Sequence, residues 1–196
     1  MKDLGLLALR LVLGGLITGH GAQKLFGAFD GHGIEGTGEF FESKLGLEPG
    51  NQWAFTAGLS ELGGGVCTAL GFLHPLGPIS TIATMVVAWR RAHADKPIWS
   101  QNGGGELPLT NIGIAAALTL AGPGRLSLDR VFGIRIPLAL SVLVAAGAAL
   151  GITAALSQPQ PSAEQQPQPQ QRPQTNTTAS RDAAEAAEPQ PAGSTL

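Results

Sequence analysis

Five apolar stretches alternate with polar links along the first 156 residues of the chain. A helix that rises about 1.5 Å per residue needs about 20 apolar residues to cross about 30 Å of hydrocarbon. Two of the five stretches are shorter than this, and flanking cations such as Arg90 and Arg91 would have to extend toward the membrane surface. We predict five membrane-spanning helices: residues 4–22, 53–73, 76–89, 107–122 and 137–156.

The links between these stretches differ in kind. Residues 23–52 predict a long acidic loop that carries several phenylalanines, whereas Pro75 and Pro78 predict a tight turn that makes its two helices antiparallel neighbours. From Ser157 onward the chain holds seven of its fourteen prolines, nine glutamines and no aromatic residue. We expect this segment to be disordered because it cannot bury a core.

Together these patterns predict an all-α membrane protein. Its expected parts are a four-helix transmembrane bundle, a fifth C-terminal transmembrane helix and a disordered Gln/Pro-rich tail. The domain bounds that we predict are residues 1–130 for the four-helix domain, 131–156 for the additional helix and 157–196 for the tail.

Composition and charge agree with a membrane location. Of the 196 residues, 43% are hydrophobic and 13% are charged, whereas a soluble domain has about 25% charged residues. The 12 basic and 14 acidic residues give a net charge of −2 without a basic tract, so nucleic-acid binding is not expected. Cys67 is the single cysteine, which excludes an intrachain disulfide and a CxxC redox pair.

Arg10 lies inside the first apolar stretch, where an arginine costs about 2.5 to 3.5 kcal/mol on insertion scales. Such a residue usually faces the protein interior and finds an anionic partner. The expected partner is Glu61, which is the single charge of the second stretch. Alternatively, Arg10 extends to the membrane surface, because it lies only about 9 Å from the start of its helix.

Helix connectivity predicts a polar mouth on one face of the membrane. In antiparallel succession, the ends of the first and third helices meet the starts of the second and fourth. A convergence of acids and bases at the mouth of a bundle is a place for a small ligand, and an ordinary rim of charges is the alternative. The candidate polar site consists of Arg10, His20, Lys24, Glu61, His93 and Glu106.

Other motifs predict packing rather than chemistry. GxxxG pairs and a glycine cluster after Glu61 suit close helix contacts. Haem ligation by His20 and His93 is disfavoured because cations crowd both residues, and no metal site or catalytic residue is predicted. The glycines expected to pack are Gly15, Gly19, Gly63, Gly64, Gly147 and Gly151.

Three segments resemble the DoxX family of small bacterial membrane proteins, in its actinobacterial style. They are LLALRLVLGGLITGHGAQKLFG (residues 6–27), ELGGGVCTALGFL (61–73) and NGGGELPLTNIGIAAALTLAGPGRLSLD (102–129). The resemblance covers about residues 4–130 and implies a four-helix membrane bundle. A turn at residues 74–78 and an appended fifth helix with its tail depart from the family pattern. The family's typical positions fall on Arg10, His20, Gly21, Lys24, Glu61, Gly63, Gly64, Glu106, Gly122, Pro123, Gly124 and Arg125.

The resemblance also implies a function. Related proteins are associated with thiosulfate:quinone oxidoreductase subunits and, in mycobacteria, with a membrane complex that joins a superoxide dismutase and a thiosulfate sulfurtransferase in oxidative-stress defence. We therefore expect a multi-pass plasma-membrane protein that is the anchor, or the quinone-interacting or electron-transfer subunit, of a redox complex. It is at most one subunit of an oxidoreductase, the sequence shows no cofactor ligands of its own, and a quinone is the cofactor expected.

Two alternatives remain open at this point. A small-molecule carrier or channel would explain two charged residues, Arg10 and Glu61, inside the membrane. A non-catalytic scaffold would use the tail at residues 157–196 to recruit partners.

Overall fold

The computed structural model describes residues 1–161, and within them every regular element is helical. The predicted all-α class is thereby confirmed for this part of the chain. Most of the predicted disordered tail, residues 162–196, lies outside the described residues. The α-helices are α1 (Lys2–Phe26), α2 (Gly33–Phe40), α3 (Gly50–Leu70), α4 (Leu76–Ala88), α5 (Glu106–Ala121), α6 (Leu128–Phe132) and α7 (Leu138–Ser157).

All five apolar stretches form helices, namely α1, α3, α4, α5 and α7, with bounds that differ from the predicted ones by a few residues. By length and composition α1 and α7 can cross a membrane, and α5 is a shorter apolar helix. At 21 residues α3 is also long enough, but glycines and polar residues lower its hydropathy. Transmembrane placement of α3, α4 and α5 therefore stays a prediction.

The link at residues 23–52 is more ordered than predicted. It contains α2 and a π-helical turn, Phe41–Leu45. Phe41 and Leu45 are buried together with Leu47 and Ala54. The expectation of a plain loop was wrong because a helix of eight residues shows little periodicity, and its stability comes from packing on α3.

Four helices form what we call the helical core: α1 contacts α3, α3 contacts α4, α4 contacts α5, and α5 returns to α1. Leu13, Ile17 and Leu118 are almost completely buried at its centre. Helix α7 packs mainly against α4, and among its residues only Ala155 is buried. Most of α7 therefore presents apolar side chains to its surroundings.

The antiparallel helices α1 and α3 approach to backbone contact. A Cβ atom added at Gly14 would overlap the backbone of Ala69, and one added at Gly21 would overlap the backbone of Leu62. Gly65 and Gly58 make the matching approaches from α3. These glycines set the register between the two helices, because only that register brings the small residues opposite each other.

The glycines that form this contact are not those of the GxxxG pattern. Of the predicted packing positions, Gly64 contacts Ser80, whereas an added Cβ at the others would meet no atom within 4 Å in the described chain. The buried face of α1 runs through Arg10, Gly14, Ile17 and Gly21. GxxxG spacing alone does not show which side of the helix faces the protein. The positions without a packing neighbour are Gly15, Gly19, Gly63, Gly147 and Gly151.

Candidate polar sites at the two ends of the helical core

The last turn of α1 and the middle of α3 place Lys24 and Glu61 in direct contact. Lys24 Nζ donates to Glu61 Oε2 at 2.5 Å. The side chain of Glu61 is 4% exposed and that of Lys24 is 22% exposed, so the carboxylate is internal and the ammonium is reached from outside. The two backbones can come this close because Gly21 and Gly58 carry no side chain at the crossing. We call this region the Lys24 end.

Arg10 occupies the opposite end of the same helix pair. It faces the interior as predicted and is 4% exposed, but its predicted pairing with Glu61 was wrong. Because α1 and α3 are antiparallel, Arg10 lies beside Gly71, just beyond the end of α3, while Glu61 lies near the end of α1. The two charges therefore lie at opposite ends of the contact between α1 and α3, too far apart to touch.

The guanidinium of Arg10 instead binds the chain that follows α5. Nη1 donates to the carbonyl oxygen of Pro123, and Nη2 donates to that of Leu126 at 2.6 Å. Arg10 Nε has no hydrogen-bond partner within residues 1–161. The planar guanidinium can hold two carbonyls at once, which a lysine ammonium does less well. We call this region the Arg10 end.

Asp129 completes the Arg10 end and was missed by the sequence interpretation. Its two carboxylate oxygens accept hydrogen bonds from the backbone N–H groups of Leu73 and His74, each at 2.8 Å. Its own N–H donates to Gly71 O at 3.1 Å, and Ser127 caps α6 through its side chain. A Ser two residues before an Asp is a helix N-cap signal, but no local pattern shows that this Asp binds a distant turn.

His74 lies in that turn, half-buried, with Nε2 at 3.3 Å from the carbonyl oxygen of Thr119. Burial lowers the pKa of the imidazole below its usual value, although the Thr119 carbonyl and the charge of Asp129 act in the opposite direction. The ring is therefore neutral at neutral pH and donates its Nε2 hydrogen to Thr119.

The other predicted site residues do not contact one another. Each forms hydrogen bonds with a residue nearby in the sequence. His20 Nδ1 lies 3.2 Å from Gln23 Oε1, and His93 Nδ1 lies 2.6 Å from the carbonyl oxygen of Gly103. Glu106 accepts two hydrogen bonds from Ser100. Of the six candidate residues, the structure joins only Lys24 and Glu61 directly.

Arg91 was predicted to extend toward the membrane surface, but it turns inward and is 8% exposed. Its guanidinium donates to the carbonyl oxygens of Leu45 at 3.2 Å, Ala155 at 3.1 Å and Gln158 at 2.6 Å. It thus ties the C-terminal end of α7 to α4, where a cation also meets the negative end of the helix dipole.

Within residues 1–161, no three His, Cys, Asp or Glu side chains are grouped as metal ligands. Cys67 is a free thiol on α3, partly buried.

Comparison with known proteins gives one match. The DoxX family model matches residues 5–94, which run from α1 to just beyond Arg91 and include Arg10, Lys24 and Glu61. No curated protein and no solved structure matches the chain. The match ends before the third resembling segment, residues 102–129, and so leaves Asp129 outside it. Residues 5–94, a little under half of the chain, therefore match the DoxX family.

Proposed function

We propose that this protein is a multi-pass plasma-membrane protein and the quinone-interacting subunit of a redox complex. The observation that carries the proposal is the Lys24–Glu61 pair, which is the only ion pair within residues 1–161. An ionised carboxylate is costly to bury inside a membrane domain, so it is retained where it has a partner and a role. Charged side chains inside a membrane domain mark functional sites by default.

The donor set of this pair suits a quinone head group. The Lys24 ammonium has three donors, of which Glu61 takes one, and it is partly exposed. A second donor can therefore bind a carbonyl oxygen from outside the helical core. A bound quinone supplies two-electron, two-proton chemistry, with the electrons coming from a partner oxidoreductase of the complex.

The residues of this chain would bind and orient the quinone head group. Lys24 would hold the carbonyl oxygen and lower its energy as negative charge develops there. Glu61, behind it, would hold the Lys24 ammonium in place through the ion pair at 2.5 Å. The family resemblance points to a thiosulfate sulfurtransferase and a superoxide dismutase as partners in the complex.

For the membrane arrangement, we propose that α3, α4 and α5 span the bilayer beside α1. In support, α3 runs antiparallel to α1 over its length, and α1, α3, α4 and α5 contact each other in a ring. With α7 as a fifth span and a cytoplasmic N-terminus, the tail would lie outside. Tags at residues 44, 130 and 190 test this by their accessibility from the two sides.

We do not extend the proposal to a carrier or channel. That alternative rested on Arg10 and Glu61 lying inside the membrane, and each of these charges is held by a partner of its own: backbone carbonyls for Arg10 and Lys24 for Glu61. The scaffold alternative depends on the tail at residues 157–196, most of which, residues 162–196, lies outside the described part of the chain.

The test is the amount of quinone that the full-length protein retains when it is purified from its native membrane. Lys24→Met and Glu61→Gln should each lower the quinone bound per protein at least fivefold. Two residues of the neighbouring segment provide matched controls: Lys44→Met, at a partly exposed position, and Glu39→Gln, at an exposed one, should retain it. Normal elution in size exclusion shows that each variant is folded.

A second measurement addresses the redox complex. A deletion strain should be more sensitive to oxidants or thiosulfate than its parent, and the Glu61→Gln gene should fail to restore resistance while the Glu39→Gln gene restores it. If the wild-type protein retains no quinone and the deletion strain has unchanged sensitivity, the proposal is wrong.

A further inference from the structure

An open pocket of about 610 Å³ lies at the Arg10 end, between the start of α1 and the segment that connects α5 to α7. It is separate from the Lys24 end, and nothing in the proposed function uses it. Its lining includes four cationic side chains, which we call the basic pocket residues: Lys2, Arg125, Arg130 and Arg135.

The acids of this pocket do not neutralise its cations. Asp3 and Asp129 also line it, but the Asp3 carboxylate accepts a hydrogen bond from the backbone N–H of Arg125, and Asp129 holds the turn after α3. Within residues 1–161, none of the basic pocket residues makes a side-chain hydrogen bond or an ion pair. Four cations against two engaged carboxylates leave the pocket positive.

The first turn of α1 adds to this field. Lys2 and Asp3 belong to that turn and line the pocket, so the positive end of a 25-residue helix and its free N–H groups lie at the same place. A positive pocket of this kind recognises an anion with several acceptor oxygens, and arginine forks suit phosphate in particular.

The position of the pocket and its apolar border favour a lipid as the source of that phosphate. Both helices that can cross a membrane begin here, since α1 starts at Lys2 and α7 starts just after Arg135. The pocket therefore lies at the membrane–water boundary. Large apolar side chains within three positions of its lining residues in sequence are exposed: Leu4, Leu120, Val131, Phe132 and Leu138. Acyl chains would cover these side chains, whereas a free anion would leave them uncovered.

We propose that the basic pocket binds the phosphate group of an anionic phospholipid, whose acyl chains lie along the exposed apolar residues. Basic pockets beside membrane helices are suited to such head groups by charge. The inference does not depend on quinone binding at the Lys24 end, so either proposal can fail alone.

The experiment measures lipid binding to the purified full-length protein by native mass spectrometry, with phosphatidylglycerol and phosphatidylcholine as probes. The triple variant Arg125→Gln, Arg130→Gln, Arg135→Gln should raise the Kd for phosphatidylglycerol at least tenfold and leave phosphatidylcholine binding unchanged. The control variant removes cations elsewhere, Lys44→Gln and Arg90→Gln, and should bind phosphatidylglycerol as the wild type does.

Folding and the source of the phosphate are tested in parallel. Because the triple variant removes side chains without partners in residues 1–161, its melting temperature in phosphatidylcholine nanodiscs should equal that of the wild type. If the melting temperature falls, Arg135→Gln alone is used, and the Kd for phosphatidylglycerol should then rise about threefold. Unchanged affinity for phosphatidylglycerol overturns the proposal. The proposal is also overturned if millimolar inorganic phosphate, without lipid, raises the melting temperature of the wild type but not that of the variant. That result would assign the pocket to a free anion.

Discussion

The Arg10 end and the Lys24 end each hold a cation of the same helix, but they hold it differently. Arg10 is held by two backbone carbonyls of a connecting segment, and that segment is held in turn by Asp129. Lys24 is held by one carboxylate and is partly exposed. The first arrangement has little freedom to change its protonation or its partners, whereas the second leaves donors available. We therefore interpret the Arg10 end as a structural contact and the Lys24 end as a candidate functional site.

The largest expected effect comes from removing the hydrogen bonds of Arg10 at the Arg10 end. Arg10→Ala removes the donor of two partly buried hydrogen bonds, to the carbonyls of Pro123 and Leu126, and each unsatisfied group costs about 1 to 3 kcal/mol. The free energy of unfolding in mixed micelles should therefore fall by roughly 2 to 6 kcal/mol. The control Arg125→Ala, an exposed arginine whose side chain has no partner in residues 1–161, should change it by less than about 0.5 kcal/mol. If both variants lose the same free energy of unfolding, Arg10 does not stabilise the fold through these hydrogen bonds.

A double-mutant cycle on the Lys24 end comes next. Lys24→Met leaves the Glu61 carboxylate buried without its partner and should cost about 1.5 to 3 kcal/mol. The double variant with Glu61→Gln should recover a large part of that loss because it removes the unpaired charge. Unfolding free energies of the four proteins give the coupling. Additive losses would show that the contact at 2.5 Å contributes no coupling.

The glycine contact between the two ends gives an intermediate effect. A methyl group at Gly21 would overlap the backbone of Leu62, so Gly21→Ala should lower the free energy of unfolding by about 1 to 3 kcal/mol. It should also displace Lys24 from Glu61. Gly19→Ala is the matched control, because nothing lies near its added Cβ and alanine favours helix. Destabilisation by both variants to the same extent would show that helix propensity, not packing, decides the effect.

The smallest expected effect is the pH dependence caused by His74. Since its pKa is lowered in the folded protein, the unfolded chain binds more protons below the ordinary value of about 6.5. Stability is then constant above that pH and falls as the pH decreases toward the folded pKa. Melting temperatures between about pH 5 and pH 7.5 should show this slope in the wild type and a weaker one in His74→Gln. A slope of opposite sign would mean that the charged ring is favoured in the fold.

The helices were predictable because each depends on a local property. An apolar stretch of sufficient length satisfies its own backbone hydrogen bonds, so α1, α3, α4, α5 and α7 are visible without knowledge of their neighbours. The tight turn at Pro75 is local in the same sense. The short helix α2 is not, since its buried residues Thr37 and Gly38 acquire their environment from α3.

The partners of the buried charges were less predictable. That Arg10 and Glu61 are internal follows from the energy of charges in an apolar stretch, and both are buried. Which group each would bind depends on the antiparallel register of α1 and α3, which the approach of Gly14 and Gly21 to α3 decides. Register is a relation between two helices, and neither sequence segment contains it alone.

The sequence by itself determined that the chain is helical, apolar and sparing in charge, and that it resembles the DoxX family. Only the tertiary structure decided that Glu61 binds Lys24, that Arg10 binds carbonyls beyond α5, and that four cations from distant segments surround one pocket. The physical reason is range. Helix formation and membrane affinity are properties of consecutive residues, whereas ion pairs and pockets depend on residues that only packing brings together.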